Sequence, residues 1–260
     1  MIKVFKIGGN VVDNEDLLRK FCSDFASIEG PKVIVHGGGV MASRLQKALG
    51  QEPKMVEGRR VTDEDALQAV TMVYAGWCNK HITALLQAEG VNAIGLSGCD
   101  ASVITASKRA PKTLSDGVTV VDYGFVGDVT PQSVNARFIC SLLEQGIVPV
   151  FCAINHDGKG NLLNTNADTV AASVAAALKA QMVYCFELEG VMRDIKDPSS
   201  VISSIDPAGF EKLKEEGVIA GGMLPKIENS FKALRGGASS VVIKCSADVA
   251  LDGKGTLLIL

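Results

Sequence analysis

The sequence predicts an α/β fold: a three-layer sandwich in which helices cover both faces of a mostly parallel central sheet. Two observations carry this. Short apolar runs of strand character alternate with longer segments of helical period along the chain. That strand, helix, strand, helix order points to parallel strands joined by crossover helices.

Lys3 to Ile7 and Lys32 to His36 are the first two buried strands. Between them Leu17, Leu18, Phe21 and Phe25 keep helical spacing behind a capping Asn14. Val40 to Leu49 is the next helix. Thr62-Asp63-Glu64-Asp65 resembles a capping box and opens a long helix that Gly90 ends, with Leu67, Val70, Tyr74, Trp77 and Leu85 on one side. That apolar stripe is wide for a helix that only covers a sheet, so it is either core or the surface that pairs with its copy in a second subunit. Ala93 to Leu96 is another strand. Val103 to Ala106 and Val118 to Val126 alternate and carry turn residues, which predicts a small antiparallel region. Thr130-Pro131 caps and starts a helix with Val134, Phe138, Ile139, Leu142 and Leu143 inward. Val148 to Cys152 is a strand, Asp157 to Gly160 a hairpin turn, and Asn166 the cap of a helix from Ala167 to Leu178. The strand Met182 to Glu187, a short helix near Phe210 to Glu216 and a helix from Pro225 to Arg235 follow; Gly236-Gly237 stop the last. Strands at Val241 to Lys244 and Leu257 to Leu260 close the chain. With no repeat and no linker, the 260 residues read as one domain with two lobes, 1–180 and 181–260.

Composition removes several function classes. A formal net charge of -3 leaves no basic footprint, and aromatic residues at 5% leave no stacking surface, so no nucleic-acid partner is expected. No apolar run is long enough to cross a bilayer, and the chain starts directly on a strand pattern without a leader, so a cytoplasmic protein with no membrane partner is expected. The seven cysteines are odd in number and form no Cys-x-x-Cys pair, which reads as buried, reduced thiols.

Two lysines stand where structural preference would not put them. Lys6 ends an apolar strand that runs into Gly8-Gly9, where a cation loses hydration unless something pairs with it. Lys226 lies in the first turn of a helix after Gly221-Gly222, where a cation opposes the helix dipole. A common anion explains both. Gly8-Gly9 and Gly37-Gly38-Gly39 lie at the carboxyl ends of strands and allow a ligand close to bare backbone N–H groups, so the expected anion is a polyphosphate. The chain has no Gly-x-x-x-x-Gly-Lys-Ser/Thr loop, no nucleophile elbow and no histidine pair at metal spacing. His36 reads as a hydrogen-bonding residue at its strand end rather than a base. In Leu163 to Asp168, Asn166 as a cap and Asp168 as a dipole partner account for two residues and leave Asn164 over. A functional reading makes Asp168 the orienter of Lys6 and Lys226 and makes Asn164 or Asn166 a substrate donor. Arg59 and Arg60 sit in a short loop beside Gly58; an arginine there is either solvated or a two-pronged carboxylate clamp.

Taken together, Lys6-Ile7-Gly8-Gly9, His36 to Gly39, Arg60-Val61-Thr62, Ala75-Gly76 with Asn79-Lys80, Asn164 through Asp168, and Gly222-Met223 with Lys226 resemble the amino acid kinase family in type and order. The closest resemblance is to its N-acetylglutamate branch in arginine biosynthesis. The resemblance implies a carbamate kinase-like fold and ATP-dependent phosphorylation of the γ-carboxylate of an N-acylated glutamate. It implies that Lys6 and Lys226 neutralise charge on the transferred phosphoryl group while Asp168 holds both. Gly37, Gly38, Gly39, Arg60, Asn164 and Asn166 would bind the N-acyl amino acid. Gly8, Gly9, Glu187, Gly222 and Met223 would bind the nucleotide, in a lobe spanning 181–260. ATP would bring Mg²⁺ on its phosphates, with no metal held by the protein. A carboxylate nucleophile with a pKa of roughly 4 is ionised at neutral pH and needs no general base; positioning and charge neutralisation suffice.

Two departures matter. Arg59 stands where members of the family commonly carry an apolar residue, which suggests a second cation at the acyl pocket and an N-succinyl in place of an N-acetyl group. Glu187 stands where they often have Asp. The chain also begins at its first strand, which implies a homodimer through the long helix rather than an arginine-inhibited hexamer. Rival readings are an N-acyl-2-aminoadipate kinase and a non-catalytic amino-acid sensor. A nitrogen-signalling protein partner is compatible with the family, but no residue argues for one.

Overall fold

The computed structural model describes residues 1–114 and 116–260. Eight strands make the central sheet: β1 (Lys3–Ile7), β2 (Lys32–His36), β3 (Ala93–Leu96), β4 (Val148–Cys152), β5 (Gln181–Phe186), β6 (Ser204–Ile205), β7 (Ser240–Cys245) and β8 (Thr256–Leu258). Their spatial order is β6-β8-β7-β5-β1-β2-β4-β3. The six strands from β7 to β3 are parallel. β8 runs antiparallel to β7, and β6 follows β8, so the sheet is mostly parallel as expected.

Helices pack on both faces. They are α1 (Gly9–Asp13), α2 (Glu15–Ser27), α3 (Gly39–Ala48), the rod α4 (Glu64–Thr71, a π-helical Met72–Cys78 and Asn79–Ala88), α5 (Ala136–Glu144), α6 (Ala167–Ala177), α7 (Pro207–Glu215) and α8 (Met223–Arg235). On one face Val4, Val35, Met182 and Ile243 meet Ile139, Val174, Phe210 and Phe231 from α5 to α8. On the other, Phe5, Ile7, Ile34 and Val183 meet Val11, Phe21, Phe25 and Ile82 from α1, α2 and α4. Neighbouring strand residues alternate between faces. Lys6 therefore shares the side of Val4, the side on which α6 lies.

Several elements differ from expectation. The cap of α4 is Asp63, which accepts from the Ala66 N–H, and not a capping box on Thr62. Thr62 is already committed: its N–H donates to the Tyr123 carbonyl and its carbonyl accepts from Phe125. Thr130-Pro131 opens only a single 3-10 turn; α5 starts later, capped by Asn135. Val134 forms a bridge to Ile104 and the Asn135 N–H donates to Val103, which interrupts the helix there. The antiparallel pairs are Ser107–Lys108 with Gly127–Asp128 and Lys112–Thr113 with Val120–Val121, while Val103 to Ala106 makes only isolated bridges. Within α4 the π-helical turn shifts the phase of the apolar stripe. Val73, Tyr74 and Cys78 turn inward, and Trp77, expected beside Tyr74, is 62% exposed.

Candidate functional site

β1 and β2 are neighbours at the middle of the sheet, and each runs straight into glycine and a helix. Gly8 precedes α1 and Gly38 precedes α3, and neither helix start has a side-chain cap. First-turn N–H groups at such ends lack an intrahelical partner and carry the positive end of the dipole. Gly38 has no room for a side chain: a Cβ there would lie 3.0 Å from Cys78 Sγ and from the Tyr74 ring. The residues of α4 thus fix how closely the chain can turn between β2 and α3.

Lys6, one residue from the end of β1, is nearly buried, and its Nζ lies 2.6 Å from Asp168 Oδ1. Asp168 is in the first turn of α6, whose cap Asn166 accepts from the Thr169 N–H at 3.0 Å. The Lys6 ammonium also lies 4.0 Å from the position a Gly8 Cβ would take. A side chain at Gly8 would therefore stand against the lysine. Lys226, in the first turn of α8, places its Nζ 4.3 Å from the centre of the Phe186 ring at the end of β5. Burial pushes its pKa down from the usual lysine value, Asp168 opposes that, Lys6 adds to it, and Glu187 opposes it. Asp168 therefore acts on both lysines, but among the described residues its ion pair is with Lys6 alone.

Beside these groups lies a cavity of about 610 Å³. Of the residues expected to bind an N-acyl amino acid, Gly37, Gly38, Gly39, Arg60, Asn164 and Asn166 all line it, together with Gly9. Gly8, Lys6, Asp168 and Lys226 lie outside its lining. So do Glu187, which follows β5, and Gly222-Met223, where α8 begins.

Arg60 forms the floor of the cavity. It is buried, and its guanidinium donates to Gln46 Oε1, to the Gly39 carbonyl at 3.1 Å and to Ser43 Oγ at 2.7 Å. All three partners are neutral. A buried cation held by neutral acceptors keeps a full charge to offer to an anion. Asn164 donates through Nδ2 to Thr62 Oγ1 at 3.0 Å, which fixes its amide and leaves Oδ1 free. The two chains cross tightly nearby: Gly124 has φ +72°, and a Cβ there would fall 2.3 Å from the Thr62 carbonyl oxygen.

His36 is fully buried. Its Nδ1–H donates to the Gly37 carbonyl at 2.7 Å, and its Nε2 accepts from Asn79 Nδ2 at 3.1 Å. Burial pushes its pKa down to about 4, so it is neutral and holds the glycine turn in place. The seven cysteines are free thiols; Cys22, Cys78, Cys152 and Cys185 are buried and pushed up to about 12, which makes them inert, while Cys99, Cys140 and Cys245 are partly exposed.

Sequence reasoning missed Ser43, Gln46, Tyr74 and Arg109. Ser43 and Gln46 follow Gly39 at helical spacing, so one face of α3 carries every anchor of Arg60; that spacing was the available signal. Arg109 lines the cavity and pairs with Asp128, a contact made by the hairpin pairing of distant segments.

Comparison with known proteins agrees with this geometry. The profile of the amino acid kinase family matches residues 1–245. The acetylglutamate kinase of Phocaeicola vulgatus is 50% identical over 99% of this chain and 98% of its own. That of Cytophaga hutchinsonii is 51% identical over 96% of this chain and 92% of its own. Among solved structures, N-acetylglutamate synthase from Neisseria gonorrhoeae, complexed with coenzyme A and N-acetyl-glutamate, superposes with a TM-score of 0.79 at 24% identity, covering 100% of this chain and 59% of that one.

Proposed function

The chain belongs to the amino acid kinase family, and from that premise we propose that it transfers the γ-phosphoryl group of ATP to the γ-carboxylate of N-acetylglutamate, a step of arginine biosynthesis. The observation that carries this is the placement of the Lys6–Asp168 pair between two glycine turns and beside a cavity floored by Arg60, a buried cation without a carboxylate partner.

Arg60 takes the α-carboxylate of the substrate, with Asn164 and Asn166 beside it. This directs the γ-carboxylate toward Gly37 to Gly39 and toward Lys6. The nucleotide lies on the β5 side, against Gly8, Gly9, Glu187, Gly222 and Met223, in the lobe formed by residues 181–260. One carboxylate oxygen attacks the γ-phosphorus, the bond from phosphorus to the β,γ-bridging oxygen breaks, and ADP leaves with that electron pair. No proton moves. Lys6 and Lys226 stabilise charge on the equatorial oxygens, and Asp168 keeps the two ammonium groups apart and oriented. Among the described residues no three His, Cys, Asp or Glu side chains gather into a metal cage. Mg²⁺ arrives on the ATP phosphates and supplies charge neutralisation there.

The protein pairs with a second copy through α4 and the sheet edge. Met72 and Trp77 are exposed on α4, and Ile94 is exposed on β3, the last strand of the sheet. Among the described residues no helix is long and apolar enough to cross a membrane; the unpaired thiols fit a reducing cytoplasm.

Incubation with Mg-ATP, hydroxylamine and N-acetylglutamate tests the reaction. A hydroxamate trapped from the acyl phosphate is the expected result. Product only from N-acetyl-2-aminoadipate would move the assignment to lysine biosynthesis. ATP binding without product from either would leave a sensor.

A further inference from the structure

The cavity holds more positive charge than N-acetylglutamate can use. Its lining contains Arg59, Arg60 and Arg109 and no acidic side chain. N-acetylglutamate brings two carboxylates. On the reading above, the γ-carboxylate goes to the phosphoryl-transfer centre and the α-carboxylate to Arg60. Arg109 is neutralised in part by Asp128, to which its Nε donates at 3.1 Å. Arg59 has no carboxylate partner among the described residues.

The position of Arg59 is built rather than loose. It pairs with Val56 in the short hairpin Met55–Val56 and Arg59–Arg60, whose turn is Glu57 (φ +46°) and Gly58 (φ +72°). Glu57 at that turn pairs with Lys112, three residues beyond Arg109, at 3.2 Å. The turn is thereby tied to the segment that carries Arg109, so both arginines stand on one rim of the cavity. Two guanidinium groups on one rim repel unless an anion lies between or beside them. Met55 and Val126 line the same cavity, and Val126 accepts from the Arg109 N–H. They offer apolar surface to the methylene groups of a longer acyl chain.

Resting on the kinase reading, we propose that Arg59 determines acyl specificity: it binds a third carboxylate at the far end of the acyl group, so the cavity favours glutamate acylated by a dicarboxylic acid, such as N-succinylglutamate, over the N-acetyl compound. The chemistry at the γ-carboxylate is unchanged.

The test measures kcat/KM for N-acetyl-, N-butyryl- and N-succinylglutamate with the wild-type protein and with Arg59→Ala and Arg59→Lys. N-butyrylglutamate has a similar chain length and no third carboxylate. The succinyl compound is expected to exceed the other two at least tenfold. Arg59→Ala is expected to reduce the succinyl-to-acetyl ratio at least tenfold, mainly through KM, and Arg59→Lys to restore part of it. The proposal is overturned if the wild-type ratio is one or below, if the butyryl compound matches the succinyl compound, or if the ratio survives Arg59→Ala. Absence of product from every acylglutamate would instead remove the kinase reading on which the proposal stands.

Discussion

Lowering the pH should weaken the protein through His36, by an amount its environment sets. In the folded state the imidazole is buried, and its pKa falls to about 4 from an ordinary 6.5. The unfolded chain therefore binds a proton between those values while the folded chain does not. Stability from this group is complete above about pH 6.5, declines as pH falls, and levels off below about 4. A displacement of about 2.5 units corresponds to roughly 3.4 kcal/mol at the low-pH limit and about 2 kcal/mol at pH 5. Carboxylates titrate over part of the same range, so the comparison must be with a variant, His36→Asn, that lacks the imidazole. Urea unfolding at pH 8, 6 and 5 is expected to show wild type losing about 2 kcal/mol more than the variant between the extremes. The chain has three histidines, so imidazole NMR signals can be followed singly. The His36 signal should hold its neutral position to pH 5. A His36 signal that titrates near 6.5, or parallel pH dependence in the two proteins, would refute the account of a neutral imidazole holding Gly37 and Asn79 together.

Asp168→Asn removes the charge 2.6 Å from Lys6 without changing the shape of the first turn of α6. It should lower kcat by about a hundredfold or more, on the scale of losing one stabilising group in a transition state, and raise the KM of the N-acyl amino acid only slightly; activity within threefold of wild type would remove Asp168 from the mechanism. Trp77→Glu puts a charge on the exposed face of α4 and should yield a monomer in sedimentation at concentrations where the wild type is a dimer; an unchanged mass would place the contact elsewhere.

Elements with a strong internal signal were legible in the sequence. β1 and β2 are unbroken apolar runs, and α2, α6 and α8 combine helical period with a cap or a glycine stop. α1 has five residues, too few to show a period. Trp77 was misplaced because periodicity assumes a constant turn, and the π-helical segment changes the turn within α4. The start of α5 was misplaced because tertiary bridges at Val134 and Asn135 overrode the local Thr-Pro signal. Within the site, the residue types that answer to an anion could be read from Lys6, Lys226, Arg60 and the glycine turns. The neutral anchors of Arg60 and the Arg109–Asp128 pair arise from contacts between segments and have no local signature beyond the spacing of Ser43 and Gln46.

The π-helical turn of α4 also makes the chain length there inflexible. Tyr74 and Cys78 press on Gly38 from within it, and Asn79, the first residue beyond it, donates to His36 and to the Val150 carbonyl. Deleting one residue between Met72 and Cys78 would let the segment relax to ordinary α-helix and rotate everything that follows by about 100°. Asn79 would swing away from His36 while Tyr74 stayed near Gly38. Insertions and deletions that a surface helix absorbs at its ends are therefore barred from this one turn, even though part of it, at Trp77, faces outward.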